Sequence, residues 1–251
     1  MTPAATGRRE RQREATYDEI VSTSRALLNE SGELSLRALA ARMGMTAPAL
    51  YRYVANYQEL VDLVAFEIDK AATVEFRASA ERHPDDDPAA RLVAASVAFR
   101  RWALTHPREF TLVFANPIAD SSCVRRELLT AATSGHYMNG LLLEIHERYD
   151  FPIPALEDLD PTLREVVVEP LIPIDVSLVP MEERGMLWLF MRAWASLYGV
   201  VTLEVFGHMD PRVIEGAAMF RDMITQWIPR LGMADEAERL VALLDAELAR
   251  D

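Results

Sequence analysis

The sequence predicts an all-α fold, and three observations carry that expectation. Apolar residues recur at spacings of three and four along most of the chain, the period of one helix face. No run of alternating apolar and polar residues is long enough for a sheet. Gly, Pro, Ser and Asp gather at intervals of helix length, where helices stop and start. The 251 residues suffice for a substantial core, and 50% of them are apolar and 26% charged, the balance of a globular chain.

The elements can be justified in order. Residues 7–13, Gly-Arg-Arg-Glu-Arg-Gln-Arg, offer nothing to bury and read as a flexible arm, either a plain tail or a strip of charge for phosphates or a minor groove. From Ala15 the pattern turns helical, with Tyr17, Ile20, Val21, Ser24, Leu27 and Leu28 on one face. Ser31-Gly32 ends that helix, Gly32 suiting a left-handed cap. Ser35 caps a second helix whose inner stripe is Leu36, Leu39, Ala40 and Met43, and Gly44 stops it. Thr46 caps a third, with Pro48 tolerated in the first turn, where N–H groups lack intrahelical acceptors. Two helices joined by so short a turn have helix-turn-helix spacing.

From Gln58 a long fourth helix turns Leu60, Leu63, Val64, Ile68 and Ala71 inward. His83–Pro88 is a loop, with Asp87 as N-cap and Pro88 at the first helical position of a helix reaching about Thr105. A short helix over 107–114 follows, then one from Ser121 or Ser122 to about Arg148. Six prolines between 150 and 180 leave room only for a short helix at 162–169. Residues 181–207, 211–229 and 234–249 complete the chain as helices. The expected division is a head of residues 1–57 and a helical body of residues 58–251.

Charge separates the same two parts. The total is −13, made of +2 over residues 1–57 and −15 over the rest. Only the head tolerates a polyanion, and the body repels one. The longest unbroken apolar runs fall short of a membrane span, and no apolar stretch marks the N-terminus as a secretory signal. The lone Cys123 cannot pair within the chain, which fits a cytoplasmic protein.

Catalytic patterns are missing. There is no His-Glu-x-x-His, no Cys-x-x-Cys, no phosphate-binding glycine loop and no Gly-x-Ser-x-Gly elbow. Cys123 beside Arg125 and Arg126 reads as a small residue in a first helical turn, Asp85–Asp87 as loop and cap, and His106 and His146 lack partners at metal-ligand spacing. No cofactor, metal or catalytic residue is expected.

Residues 35–60, SLRALAARMGMTAPALYRYVANYQEL, resemble the DNA-binding motif of the tetracycline-repressor (TetR) family of bacterial regulators. The matching residues are Leu39-Ala40, Gly44-Met45-Thr46, Leu50-Tyr51, Tyr53, Val54 and the Ala55-Asn56-Tyr57-Gln58-Glu59-Leu60 segment. Tyr57 stands where the family has Lys or Arg, exchanging a charged phosphate clamp for a hydroxyl. Residues 194–199, WASLYG, are similar to a Trp-x-x-x-His-Gly pattern in one branch, with Tyr198 in the His position. The resemblance implies a DNA-binding head and a ligand-binding, dimerising body.

In the head, the third helix should enter a groove, with Leu50 and Val54 holding it from beneath and its N-terminal N–H groups favouring phosphate. Thr46 adds a hydroxyl; Ala47, Pro48 and Ala49 are small enough for close approach and can pack on thymine methyls. Tyr51, Tyr53 and Tyr57 reach phosphate or sugar, while Arg37 and Arg52 can read guanine with two hydrogen bonds. Plain alternatives exist: Arg52 can be a solvated side chain and Tyr53 a packing residue.

In the body, Phe99, Trp102, His106, Phe110, Phe114, Met138 and Leu142 could line an apolar cavity, with His136, Tyr137, Arg192 and Tyr198 as polar anchors; the competing reading is ordinary core. The two long late helices carry Trp194, Val201, Val205, Ile214, Ala217, Ala218, Phe220, Ile224 and Trp227, more apolar surface than one face needs, and are expected to pair with a second copy as a four-helix interface. The expectation is a homodimeric, ligand-responsive regulator, a repressor released from a pseudo-palindromic DNA operator by a small apolar molecule. Two alternatives remain open: a constitutive DNA-binding dimer, and a helical enzyme with a vestigial head.

Overall fold

The structure, a computed structural model, describes residues 4–115, 133–169 and 179–250. Helix α1 spans Ala4–Ser31, so the polar segment expected to be a free arm continues the first helix backwards. Ala, Arg, Glu and Gln are good helix formers, and no breaker interrupts them. A helix that is polar all round leaves no apolar periodicity to detect. Gly32 (φ +80°) ends α1, its N–H bonded to the Leu28 carbonyl at 2.8 Å.

Helix α2 is Leu36–Arg42, capped by Ser35, whose hydroxyl accepts from the Ala38 N–H at 3.4 Å. Gly44 takes φ +64°, and Met45 N–H returns to the Ala40 carbonyl at 2.9 Å, closing a left-handed helix end. Helix α3 is Ala47–Leu50, with Thr46 in the capping position but making no side-chain cap bond. Helix α4, Tyr57–Ala80, opens on a reciprocal pair of bonds: Asn56 Oδ1 accepts from Glu59 N–H at 2.9 Å, and Glu59 Oε2 accepts from Ala55 N–H at 2.5 Å.

Helix α5 is Pro88–Thr105, with Asp87 Oδ1 accepting from Ala90 N–H at 3.0 Å as the expected cap. Then come α6 (Pro107–Phe114), α7 (Ser134–Tyr149), α8 (Pro161–Val168), α9 (Gly185–Val205), α10 (Pro211–Glu215), α11 (Ala218–Arg230) and α12 (Ala237–Leu248). No strand occurs among the described residues. The start expected at Ser121 or Ser122, Cys123 with its arginines, and Pro170 and Pro173 lie outside the described residues. The single helix expected over 211–229 is two: Gly216 and the left-handed Ala217 (φ +49°) separate α10 from α11.

The chain forms two compact units. One runs from the N-terminal helix to Asp69 and adds the segment opening at His106. In it α1 packs on α2 and α6, and α2 on α3, around Ile20, Leu39, Leu50, Leu60, Ile68 and Phe110. This unit therefore holds the first half of α4 and all of α6 in addition to the expected head. The other unit contains Lys70–Thr105 and the described chain from Thr133 onward. There α5 is central, packed on α7, α9 and α12, with α11 on α9 and α12. Its core includes Phe76, Phe99, Leu141, Ile145, Phe151 and Phe220.

Charged side chains tie this second unit. Arg100 bonds buried Glu204 (2.6 Å) and the Ile214 carbonyl (2.6 Å), holding the end of α9 to α10. Buried Glu247 receives Arg82 (2.5 Å) and His83 (3.1 Å) and fixes α12. Burial pushes the Glu204 carboxyl above its ordinary range, and Arg100 only partly offsets this. Helix α9 is long and apolar enough by composition to cross a membrane, unlike the short unbroken runs that sequence reading weighed. It packs on α5, α8 and α11, and its buried Glu204 is bridged by Arg100 of α5.

Candidate functional site

Four of the nine head residues singled out by sequence, Arg37, Ala47, Tyr51 and Tyr57, line one open hollow of about 540 Å³, bounded by α2, α3 and the start of α4. Arg37 comes from the first turn of α2, Ala47 and Tyr51 from α3 and its C-cap, and Tyr57 from the first turn of α4. Leu36, Ala40, Ala41, Met45 and Leu50 make an apolar wall. Tyr51 and Tyr57 are each 50% exposed, a large aromatic surface to leave uncovered. Thr46, Pro48 and Arg52 are exposed beside them, and Ala49 is half-buried.

Tyr53 faces elsewhere. Its ring meets Tyr17 of α1 edge-on at 5.5 Å, and its carbonyl accepts from the Tyr17 hydroxyl at 3.2 Å. Arg13 completes the chain, bonding the same hydroxyl at 3.3 Å. The first task of Tyr53 is thus to fasten α3 to α1, the packing alternative that its position left open.

The third helix is shorter than a groove-reading helix with a useful macrodipole. After Ala47–Leu50 the backbone tightens, with Arg52 N–H bonding the Ala49 carbonyl (3.3 Å) and Tyr53 N–H the Leu50 carbonyl (2.9 Å). One turn of aligned peptides makes a weak dipole, so what this end offers an anion is its individual N–H groups and the Thr46 hydroxyl.

The unit is braced where sequence gave no warning. Arg25 on α1 forms a two-point bridge to Glu109 on α6 (2.9 Å for both bonds), and Asn29 adds a third bond at 3.2 Å. Arg108 reaches the carbonyls of Leu28 and Asn29 at the end of α1. Partners 80 and 84 residues apart leave no local pattern. The Asn56-x-x-Glu59 pair, in contrast, is a readable capping signature.

The expected cavity residues are divided between the two units. Phe99, Trp102, Met138, Leu142, Arg192, Tyr198 and His136 lie in the second, and His106, Phe110 and Phe114 in the first. The second unit contains a run of touching rings: Trp102 to Phe76 (6.0 Å), Phe76 to Phe99 (5.6 Å), Phe99 to Trp194 (5.7 Å) and Trp194 stacked on Tyr198 (5.6 Å). Met138 and Leu142 are buried on α7, and His136 is half-buried. Arg192 is turned to the Trp227 ring at 6.0 Å. In the first unit Phe110 is fully buried against Phe114 at 5.4 Å, and His106 precedes α6.

The pairing surface expected on the late helices is corrected in part. Val201, Ala217, Phe220 and Trp227 are 0, 4, 0 and 8% exposed, because α9 and α11 spend those faces on the chain's own core. They have no surface to give a partner. Val205, Ile214 and Ile224 are half-buried and Ala218 exposed. The apolar surface that remains is Trp194, Leu203, Phe206 and Met219, of which only Trp194 was anticipated.

A compact helix-turn-helix module joined in one chain to a larger helical unit defines a class, that of helical DNA-binding regulators. Residues 92–227 match a family model described as "Tetracyclin repressor-like, C-terminal domain". The chain belongs to the tetracycline-repressor-like family of DNA-binding transcriptional regulators. It is 29% identical over 229 residues to the HTH-type transcriptional regulator Rv1816 of Mycobacterium tuberculosis (83% of this chain, 91% of that one). It is 26% identical over 210 residues to the uncharacterized HTH-type regulator Rv0681 of the same organism (82% and 77%). A solved structure of a protein with unknown function from Rhodococcus sp. RHA1 shares the fold, with a TM-score of 0.54, 17% identity, and 92% of this chain and 93% of that one covered.

Proposed function

We propose that this regulator works as a homodimeric repressor whose hold on a pseudo-palindromic operator is released by a small molecule bound in the body. The observation that carries the DNA reading is the convergence of Arg37, Ala47, Tyr51 and Tyr57 on one exposed hollow of the head. Arg37 would read a guanine edge, and the exposed Arg52 could read a second. Thr46, Tyr51 and Tyr57 would hold phosphates, and Ala47, Pro48 and Ala49 would pack against thymine methyls.

Two copies would pair through the exposed apolar residues of α9 and α11, setting their heads about one DNA turn, ~34–36 Å, apart. The functional division falls at residues 57/58, with α4 as the lever between ligand and head. Release requires a ligand that prefers the DNA-incompatible state, since equal affinity for both states shifts nothing. As a DNA regulator the protein would act in the cytoplasm.

The test is operator affinity after selection of bound sequences. Arg37→Ala should cost about 1–3 kcal/mol and relax preference at one base pair. Tyr51→Phe should weaken all sequences alike. Unchanged binding in both variants would overturn the assignment of this face.

A further inference from the structure

We infer that the leading turns of α1 are a second DNA contact, in which Arg8, Arg9 and Arg11 hold duplex phosphates. This contact rests on the DNA reading of the head, but no residue of α1 lines the hollow. Three observations point to it.

The first is where the charge lies. Residues 7–14 hold four arginines (8, 9, 11, 13) and two glutamates (10, 14), a balance of +2. Residues 15–57 hold four arginines (25, 37, 42, 52) and four acids (18, 19, 30, 33), a balance of zero. The whole positive surplus of the head therefore sits in about two turns of α1, and the rest of the head is neutral. Phosphate neutralisation with counterion release supplies much of the affinity of proteins for duplex DNA. The neutral remainder offers little of it.

The second is availability. Arg8, Arg9 and Arg11 are exposed and form no ion pair or side-chain hydrogen bond among the described residues, whereas Arg13 bonds Tyr17 Oη. At about 100° per residue the four arginines cover an arc of about 200°, and the two glutamates fall together in the remainder. Like charges thus stand one turn apart: Arg8 and Arg11, Arg9 and Arg13, Glu10 and Glu14. Such pairs weaken an isolated helix, so the pattern does not serve the helix itself. A polyanion along the arginine side relieves the repulsion there.

The third is continuity. Arg9, Arg13 and Tyr17 follow at four-residue steps along one side of α1, and Tyr17 touches Tyr53 just past α3. Helix α1 carries its free arginines about 9–14 Å beyond that fastening, within the same compact unit. A helix about 10–12 Å across does not enter a minor groove about 6 Å wide, so the order of this segment favours the phosphate backbone over the groove floor.

The full chain tests this on a selected operator duplex and on an unrelated duplex, across about 50 to 200 mM salt. The variants are the triple Arg8→Gln/Arg9→Gln/Arg11→Gln and the single Arg37→Ala. Glutamine keeps the helix propensity, and circular dichroism should show the triple variant folded like the wild type. It should bind both duplexes more weakly, with unchanged base preferences and a slope of log affinity against log salt shallower by about 2–3 per head. Per head, the wild-type advantage should shrink about fortyfold across that salt range. Arg37→Ala should instead alter preference at one base pair.

An unchanged slope in the triple variant would overturn the inference and leave the hollow's contacts standing. A loss confined to particular base pairs would overturn it too, because phosphate contacts carry no sequence. A shallower slope beside an unaffected Arg37→Ala would keep the α1 contact and sink the reading of the hollow. Failure of the wild type to bind either duplex would sink both.

Discussion

The Arg25–Glu109 bridge makes an asymmetric prediction. Glu109 is 1% exposed and Arg25 35%, so the two partners are stranded very differently when the other is removed. Arg25→Met keeps the aliphatic stem but leaves a buried carboxylate with only the Asn29 amide, 3.2 Å away. Removing one partner of a buried pair costs about 3–5 kcal/mol, and the half-open setting puts this case near the lower end, about 3 kcal/mol. Glu109→Gln keeps the shape and one acceptor, and the freed guanidinium can turn to water, so the loss is about 1 kcal/mol. At roughly 2–4 °C per kcal/mol for a chain of this size, thermal unfolding followed by circular dichroism should separate the two variants clearly. The double variant strands no charge and should melt close to Glu109→Gln, far above the sum of the single losses. Glu109→Gln costing as much as Arg25→Met, or additive losses in the double variant, would refute the reasoning.

Three further outcomes can be checked directly. Gly185→Ala should destabilise by several kcal/mol in a melt, since a β-carbon there would lie 1.9 Å from the Pro154 carbonyl oxygen, whose backbone cannot step aside cheaply. Tyr149 is pushed from 10.0 to about 12 by burial and by its bond to Glu236 (2.6 Å). Because the folded state holds this proton more tightly, the contribution is whole below pH 10 and is lost as pH rises toward 12; in a pH series of melts, Tyr149→Phe should lack that part of the alkaline decline. Tyr57→Lys should steepen the salt dependence of operator binding by about one unit per head in a plot of log affinity against log salt, and an unchanged slope would remove Tyr57 from the phosphate contacts.

What the sequence revealed and what it hid divide along a physical line. Helix ends set by neighbours in the chain were legible: Ser35, Gly32, Gly44, Asp87 and Pro88 each act within four residues, and each does what its chemistry demands. The N-terminal half-turns of α1 were not legible, because a helix polar on every side carries no apolar stripe. The break at Gly216-Ala217 was hidden too, since Ala is a strong helix former and its left-handed φ is imposed by tertiary context. The placement of the candidate residues follows the same line. Arg37, Ala47, Tyr51 and Tyr57 lie within 21 positions and a compact motif brings them together. Val201 and Phe220 looked like a pairing surface because apolar excess says that a face is buried without saying by what.

The allocation of arginines bears on how the head, with so small a surplus of charge, could make the proposed DNA contacts. Of its eight arginines, Arg25 and Arg42 are held by Glu109 and Glu30, and Arg13 by Tyr17. Arg37 and Arg52 are exposed and form no ion pair among the described residues, while Arg8, Arg9 and Arg11 line the exposed start of α1. None of the arginines held by these contacts lines the hollow, and one of the uncommitted ones, Arg37, does. On the proposed reading the tyrosines would supply hydroxyl contacts without adding charge, so affinity at the hollow would depend less on counterion release than on fit. A chain with a body of −15 gains from that division. An acidic body disfavours nucleic acid, so on the proposed reading the attractive surface would be confined to the head, where α1, α2, α3 and the first turn of α4 expose their uncommitted arginines and tyrosines.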